Sequence, residues 1–361
     1  MKQKNPKILV INPGSTSTKI AVFEGEKCLF SQNIVHFLDD LVHYPTIISQ
    51  YEFRKDIILS TLELEGVSLD GLEVVMGRGG LTYPLNSGIY EVDDRMVTHV
   101  RKGVLGQHAS NLGPILAQAI AREFDGAKAF IANPVVTDEL VPEARISGHP
   151  RFERVSIFHA LNQKAVARLY ARSISRSYKE LNLIVVHMGG GVSVGIHQKG
   201  RVVDVNNGLD GEGPFSPERS GTLPVGQLIS ACFSGNFTED EMRLMVVGEG
   251  GMAAYLNTNS MLDVFNAAER GDEKAALLLK AFILQVAKAV GEMATVVCGQ
   301  VDAIIFTGGI AHNKTIVEAL TQKVKFIAHV AVYPGEDEME AMAMNARLML
   351  NGELIPQKYP H

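Results

Sequence analysis

Two stretches of the chain share one layout, and this duplication constrains the fold more than any other feature. Ile8–Phe30 reads ILVINPGSTSTKIAVFEGEKCLF, and Leu183–Val205 reads LIVVHMGGGVSVGIHQKGRVVDV. Aligned without gaps, each is a short apolar strand, a polar Gly/Ser loop, a second strand, a glycine turn at Gly25 or Gly200, and a third strand. Gly14 falls on Gly189, and Ser17 comes within one position of Ser193. An offset near half of the 361 residues predicts two related domains, each opening with a β-hairpin whose tight turn approaches a ligand.

The length itself favours two domains over one core. Between the repeats, strand-like runs appear at Glu73–Met76, Lys128–Ile131, Ala303–Phe306 and Lys325–Ile327. Helical patterns cover Ser110–Glu123, Ser156–Ser173, Glu273–Val297 and Glu338–Leu350. The alternation predicts an α/β architecture in each half. The Ser147-Gly148-His149-Pro150 punctuation places the boundary near residues 150–155, giving domains at 1–152 and 153–338, with a last helix (339–361) crossing back to the first.

Hydrophobic residues at 46% and charged residues at 20% are the balance of a globular protein. A net charge of −6 attracts no polyanion over the whole surface, so small anions must be held locally and nucleic acid is not an expected partner. Cys28, Cys232 and Cys298 are odd in number and lack CxxC pairing, which points away from disulfide or zinc frameworks and towards a reducing cytoplasm. The lead Met1–Lys7 is followed by too short an apolar run for a signal peptide, and no run approaches the ~20 residues of a membrane span.

The loop Asn12-Pro13-Gly14-Ser15-Thr16-Ser17-Thr18-Lys19 combines backbone freedom, hydroxyls, an amide and a cation. Such a loop suits phosphate, because glycine lets the backbone approach and N–H and O–H donors converge on oxygens. It is not a Walker A loop, since a strand rather than a helix follows. Its counterpart is His187-Met188-Gly189-Gly190-Gly191-Val192-Ser193, where three consecutive glycines cost chain entropy that a plain turn need not lose. His187 itself reads equally well as a core histidine. Thr307-Gly308-Gly309-Ile310 follows a strand and leads into a helix start at Ala311–Lys314, a place where free N–H groups meet nucleotides. Arg78-Gly79-Gly80 and Glu218-Arg219-Ser220-Gly221 put guanidinium groups in glycine-containing loops, where they can clamp a carboxylate or phosphoryl group. His108 lies at a helix entry and His159 on an apolar helical stretch, so either could be a packed histidine; together with the arginines they suit phosphoryl transfer.

These motifs resemble the acetate and butyrate kinases, a family of the acetate-sugar kinase/actin superfamily. Residues 12–19 are similar to the family's first signature and residues 187–191 to its second. GRGG, GQHASNLG, SIFHALNQKAVAR, VVHMGGG, DGEGPFSPERSG and PGEDEMEAMA resemble its butyrate-acting branch and span residues 8–345. The resemblance implies duplicated actin-like, ribonuclease H-like domains with an active site in the cleft between them, a homodimer or higher homo-oligomer, and Mg-ATP as donor. It implies ATP + butanoate ⇌ ADP + butanoyl phosphate, with acetate, propionate and branched acids as rival substrates and a non-catalytic ATP-binding protein as the rival class. Asn12, Ser15, Thr16, Ser17 and Lys19 would meet the phosphates. Gly189, Gly190, Gly191, His187, Gly308, Gly309 and Ile310 would hold ADP. Arg78 and Arg219 would grip the carboxylate and the transferring phosphoryl group, and His159 would stabilise the transition state. Gly79, Gly80, His108 and Phe158 would line the acid's site, with the bare glycines opening space for the longer chain. Asn12 and Glu338 would serve Mg²⁺, with Asp337 a competitor of Glu338. Where the family usually has Asp before Pro-Val-Val, this chain has Asn133, which keeps an oxygen ligand without the charge; Asp138 or the Asp337/Glu338 pair could take over that role.

Overall fold

The computed structural model describes residues 6–360. Met1–Asn5, on which the reading of the N-terminus partly rests, lie outside them, as does His361. The chain divides into two compact units, one of residues 1–137 with 337–361 and one of residues 138–336.

In the first unit β1 (Lys7–Pro13), β2 (Ser17–Glu24) and β3 (Lys27–Val35) form an antiparallel meander. β4 (Leu72–Arg78) and β6 (Lys128–Ala132) extend it in parallel beside β1, and the short β5 (Ile89–Glu91) closes the edge, giving the order β3-β2-β1-β4-β6-β5. Alternate residues of β1 bury against opposite faces. Leu9 and Ile11 join a core with Ile58, Leu112 and Leu116, while the C-terminal helix Glu338–Leu350 packs on β1 and β4.

The second unit repeats the plan. β7 (Asn182–Met188), β8 (Val192–Gln198) and β9 (Arg201–Val205) are again an antiparallel meander, with β10 (Ala303–Gly308) and β11 (His329–Pro334) parallel beside β7. The order β9-β8-β7-β10-β11 reproduces β3-β2-β1-β4-β6, so the duplication seen in the hairpins extends through the sheets. Both faces are covered. Leu183 and Val185 meet Val166 and Tyr170 of helix Ala160–Ser173, whereas Ile184 and Val186 meet Phe282, Val286 and Val290 of helix Glu273–Val296. The turns at Gly25 (φ 59°) and Gly200 (φ 89°) are left-handed, which is why glycine stands at both.

Three expectations need correction. Lys325–Ile327 is not a strand: helix Lys314–Val324 runs on to the buried Val324, the chain turns with Phe326 exposed, and β11 starts only at His329. The first unit ends at Thr137, ahead of the expected 150–155. Glu139 and Val141 already belong to the second unit, through the Lys164 ammonium (2.7 Å) and the carbonyl of Val203 (3.0 Å). Helix 160–173 begins later than expected, so His159 is its N-cap residue (φ −77°, ψ 58°) and is not within the helix.

Candidate active site

In the first unit the chain between β1 and β2 is only Gly14-Ser15-Thr16, closed by Gly14 N–H donating to the Ser17 carbonyl at 2.7 Å. Ser15, Thr16 and Lys19 are exposed. The group that shapes this loop is Arg54, which sequence reasoning missed. Wholly buried, it donates from Nη1 to the carbonyls of Gly14 (2.7 Å) and Ser17 (3.0 Å) and from Nη2 to that of Ser15 (2.8 Å). Gln50 Oε1 takes two further bonds, and burial lowers the guanidinium to about 10. A signal existed: Arg54, Ile58 and Leu62 share the buried stripe of helix Tyr51–Leu64 at i, i+4, i+8 spacing.

The loop's first residue belongs to a three-residue cluster. Glu338 Oε2 accepts from Asn12 Nδ2 and from Arg78 Nη1, both at 2.5 Å, and Arg78 Nη1 also lies 3.3 Å from Asn12 Oδ1. Asp337 does not compete for this position, because its Oδ1 caps the same helix by accepting from Glu340 N–H at 3.0 Å. Among the described residues no three His, Cys, Asp or Glu side chains gather as a metal cage. That still fits Mg²⁺, which usually takes one or two carboxylates and completes its shell with phosphate and water. A carboxylate beside an amide, at the mouth of the loop, is such a donor set.

Four other expected residues of this unit have internal partners. Gly79 and Gly80 border no empty space: a Cβ at Gly79 would come 2.5 Å from Pro134 Cβ, and one at Gly80 would come 2.8 Å from Asn111 Cα. Close packing therefore accounts for these glycines, and the expected opening beside the acyl tail is not there. His108 Nδ1 sits 2.8 Å from Ser110 Oγ at the start of a 3-10 turn. Asn133, buried with φ 41°, accepts from Gly88 N–H at 2.9 Å through Oδ1 and donates to Asn345 Oδ1 at 3.4 Å, so its oxygen is committed to the fold. Asp138, in the second unit, is bound by both arms of Arg145.

The second unit gathers most of the remaining residues around the triple-glycine loop. Arg219 Nη1 donates to the Gly208 carbonyl at 2.6 Å, and its Nε is buried with no hydrogen-bond partner among the described residues. Burial lowers its pKa, opposed by the charge of Glu218. Gly191 is needed there, because a Cβ would lie 2.0 Å from Arg219 Nη1. His159 and His187 stack face to face with centroids 3.7 Å apart and planes within 10°. His187 Nδ1 donates to Asn162 Oδ1 at 2.9 Å, and its Nε2 lies 3.3 Å from the Glu336 carboxylate. Gly308, at φ 86°, passes so close to Met188 that a Cβ would be 2.3 Å from its carbonyl oxygen, while over Gly309 the space is open. Ile310 is buried in the 3-10 turn Gly309–His312, and the following helix starts at Lys314, capped by Asn313. Phe158 is a core residue packed with Leu140, Ala160, Val202 and Val205 and does not line an open surface. A half-buried arginine with no carboxylate ion pair among the described residues, held over a triple-glycine loop in the same unit as the paired histidines, is equipped to receive a phosphoryl anion.

The acetokinase family matches residues 154–342 of this chain. Butyrate kinase 2 of Clostridium acetobutylicum is 52% identical over 353 residues, 98% of this chain and 99% of its own length. The chain belongs to the acetokinase family. Among solved structures, the acetate kinase of Porphyromonas gingivalis superposes with a TM-score of 0.79 at 18% identity, covering 96% of this chain and 100% of its own. A propionate kinase from Francisella tularensis gives 0.74 at 19% identity, with 94% and 98% covered. At such identities the likeness is one of fold, and it places the two duplicated sheets in the acetokinase fold.

Proposed function

We propose that this acetokinase transfers the γ-phosphoryl group of ATP directly to the carboxylate of butanoate, forming butanoyl phosphate and ADP, and runs the reverse reaction. The observation that carries the reading is Arg219, a half-buried cation whose buried Nε has no hydrogen-bond partner among the described residues and whose other arm is anchored on Gly208. Such a group stabilises charge that arrives with the reactants rather than charge already in the protein. The chain length of the acid rests on the 52% identity to the Clostridium enzyme named for butyrate.

The chemistry asks little of a general base. A carboxyl group of reference pKa near ~4.3 is ionised at pH 7, so its oxygen attacks phosphorus while the bond to the ADP oxygen breaks. Arg78 holds the carboxylate, and Arg219 and His159 meet the equatorial phosphoryl oxygens. Ser15, Thr16, Ser17 and Lys19 offer donors to phosphate, and Gly189–Gly191 with Gly308–Ile310 let the nucleotide approach the backbone. Glu338 and Asn12 would hold Mg²⁺, which neutralises charge on the phosphates when bound.

The protein works as a homodimer in this proposal. Helices Val225–Cys232 and Glu239–Val246 have no buried residue, while Val225 (66%), Ile229 (53%) and Phe233 (87%) are exposed apolar side chains along one stretch. A monomer in water rarely leaves such a patch uncovered. No helix of the described residues is long and apolar enough to cross a membrane, and the proposed setting is the cytoplasm.

Trapping the product with hydroxylamine across acids of two to five carbons tests the reading. Butanoyl hydroxamate should dominate, with propionate and acetate slower, because each buried methylene contributes roughly 0.8 kcal/mol. Preference for acetate would refute the substrate assignment, and no hydroxamate from any acid would refute the activity.

A further inference from the structure

A buried chain of hydrogen bonds crosses the second unit from Tyr178 to His159. Tyr178 Oη lies 2.8 Å from His197 Nδ1, and His197 Nε2 lies 3.0 Å from Gln163 Oε1. Gln163 Nε2 reaches Ser193 Oγ at 2.8 Å and the Ser193 carbonyl at 3.0 Å, and Ser193 Oγ lies 2.9 Å from His159 Nδ1. Gln163, Ser193 and His197 are completely buried.

The direction of every bond follows from one atom. A backbone carbonyl only accepts, so the Ser193 carbonyl requires the amide nitrogen of Gln163 on its side and turns the amide oxygen towards His197. His197 must then carry its proton on Nε2. Burial, with the cations Lys164 and Arg168 adding to it, holds that ring neutral, which leaves Nδ1 bare to accept from Tyr178 O–H. Ser193 Oγ already accepts from Gln163 and, at 3.5 Å, from the backbone N–H of His159, so its own proton goes to His159 Nδ1. The ring of His159 is left protonated on Nε2.

We infer that Gln163 and Ser193 are positioning residues that hold His159 in its Nε2-protonated tautomer, so that the imidazole presents an N–H donor to an anionic oxygen. The inference rests on the reading above that His159 meets the phosphoryl group. The stack on His187, itself tied through Asn162, sets the plane of the ring, and Ser193 sets its tautomer. Apolar residues could fill these buried positions without that desolvation cost, so the polar chain is kept where every member is hydrogen-bonded and ends on His159. The sheet also makes room for it: a Cβ at Gly195 would come 2.8 Å from Gln163 Oε1.

The test is ¹⁵N NMR of the full chain labelled in histidine, with the His159 signals assigned through His159→Gln. The wild type should show His159 protonated at Nε2. Ser193→Ala should move it towards the Nδ1-protonated form and lower kcat roughly 10- to 100-fold, on the order of the loss seen when the hydrogen-bond partner of a metal-ligating histidine is removed, with the KM for ATP nearly unchanged. Gln163→Met, close in size, should shift the tautomer in the same direction and by less. An Nδ1-protonated His159 in the wild type overturns the inference, and so does an unchanged tautomer in both variants. A shifted tautomer with unaltered kcat would instead leave the hydrogen-bond chain standing and refute the phosphoryl role of His159, so the two readings fail separately. The wild-type spectrum alone can overturn the inference if a variant does not fold.

Discussion

Substituting Gly191 with alanine adds one methyl group beneath the guanidinium of Arg219. Built on the present backbone, that methyl lies 2.0 Å from Nη1 and 2.9 Å from Cζ, and ordinary contact begins near 3.4 Å. Relief therefore takes a displacement of about 1.4 Å (3.4 − 2.0), more than enough to break the 2.6 Å bond to the Gly208 carbonyl. Misplacing a reacting or stabilising group by about 1 Å costs on the order of 10²-fold in rate, so kcat for hydroxamate formation should fall by at least that much. The backbone at Gly191 is not left-handed, so alanine adds no backbone strain, and the second unit should still melt cooperatively. The assay is steady-state hydroxamate production with ATP and butanoate varied separately, alongside a thermal melt. A variant that folds like the parent and keeps kcat within about threefold would refute the placement of Arg219 at the reacting phosphoryl group.

The arginines themselves divide the work. Arg219→Lys should lose about 10³-fold in kcat because a point charge does not replace the planar fork, whereas Arg78→Lys should act more on the KM for the acid; steady-state kinetics of both variants would expose the reverse pattern. Asn133→Asp should lower stability by about 1–3 kcal/mol and leave the Mg²⁺ requirement no easier, because it buries a carboxylate and removes the donor to Asn345; a gain in kcat at low Mg²⁺ would show that the site wants the missing charge. His36 is held down to about 4 by burial first and by Arg54 second, so the unfolded chain binds its proton first as pH falls. Stability is therefore present above the ordinary value near 6.5 and is lost between there and about 4. Melts from pH 7 to 4 should show this loss, with a shallower slope in His36→Asn. Phe233→Asp should convert the proposed dimer to a monomer in light scattering, and an unaltered mass would remove helices Val225–Cys232 and Glu239–Val246 from its interface.

Short apolar runs and helical spacing made the two sheets legible in the sequence, because each hairpin carries its own glycine turn between apolar strands. The repeat also located the two loops at which chemistry is expected. What stayed hidden was how side chains far apart in sequence meet. Glu338 could be separated from Asp337 only once the helix cap was seen to use one and leave the other to Arg78. Gly79 and Gly80 looked like an opening, yet Pro134 and Asn111 fill that space, and only packing could decide. Asn133 looked like a weakened ligand because its backbone duty to Gly88 has no local signature. Arg54 escaped notice because a charged residue on a buried helical stripe reads first as a solvated one. The helices Val225–Cys232 and Glu239–Val246 were not anticipated from the sequence, and neither buries a residue in the core.

Phosphoryl transfer to the carboxylate oxygen is tested most plainly by following ATP and butanoate labelled with ¹⁸O in both carboxyl oxygens by ³¹P NMR. The account predicts an acyl phosphate resonance that grows with ADP and carries the isotope shift of a single P–¹⁸O bond, since the bridging oxygen comes from the acid. ATP consumption that yields only inorganic phosphate, or an acyl phosphate without that shift, would contradict it.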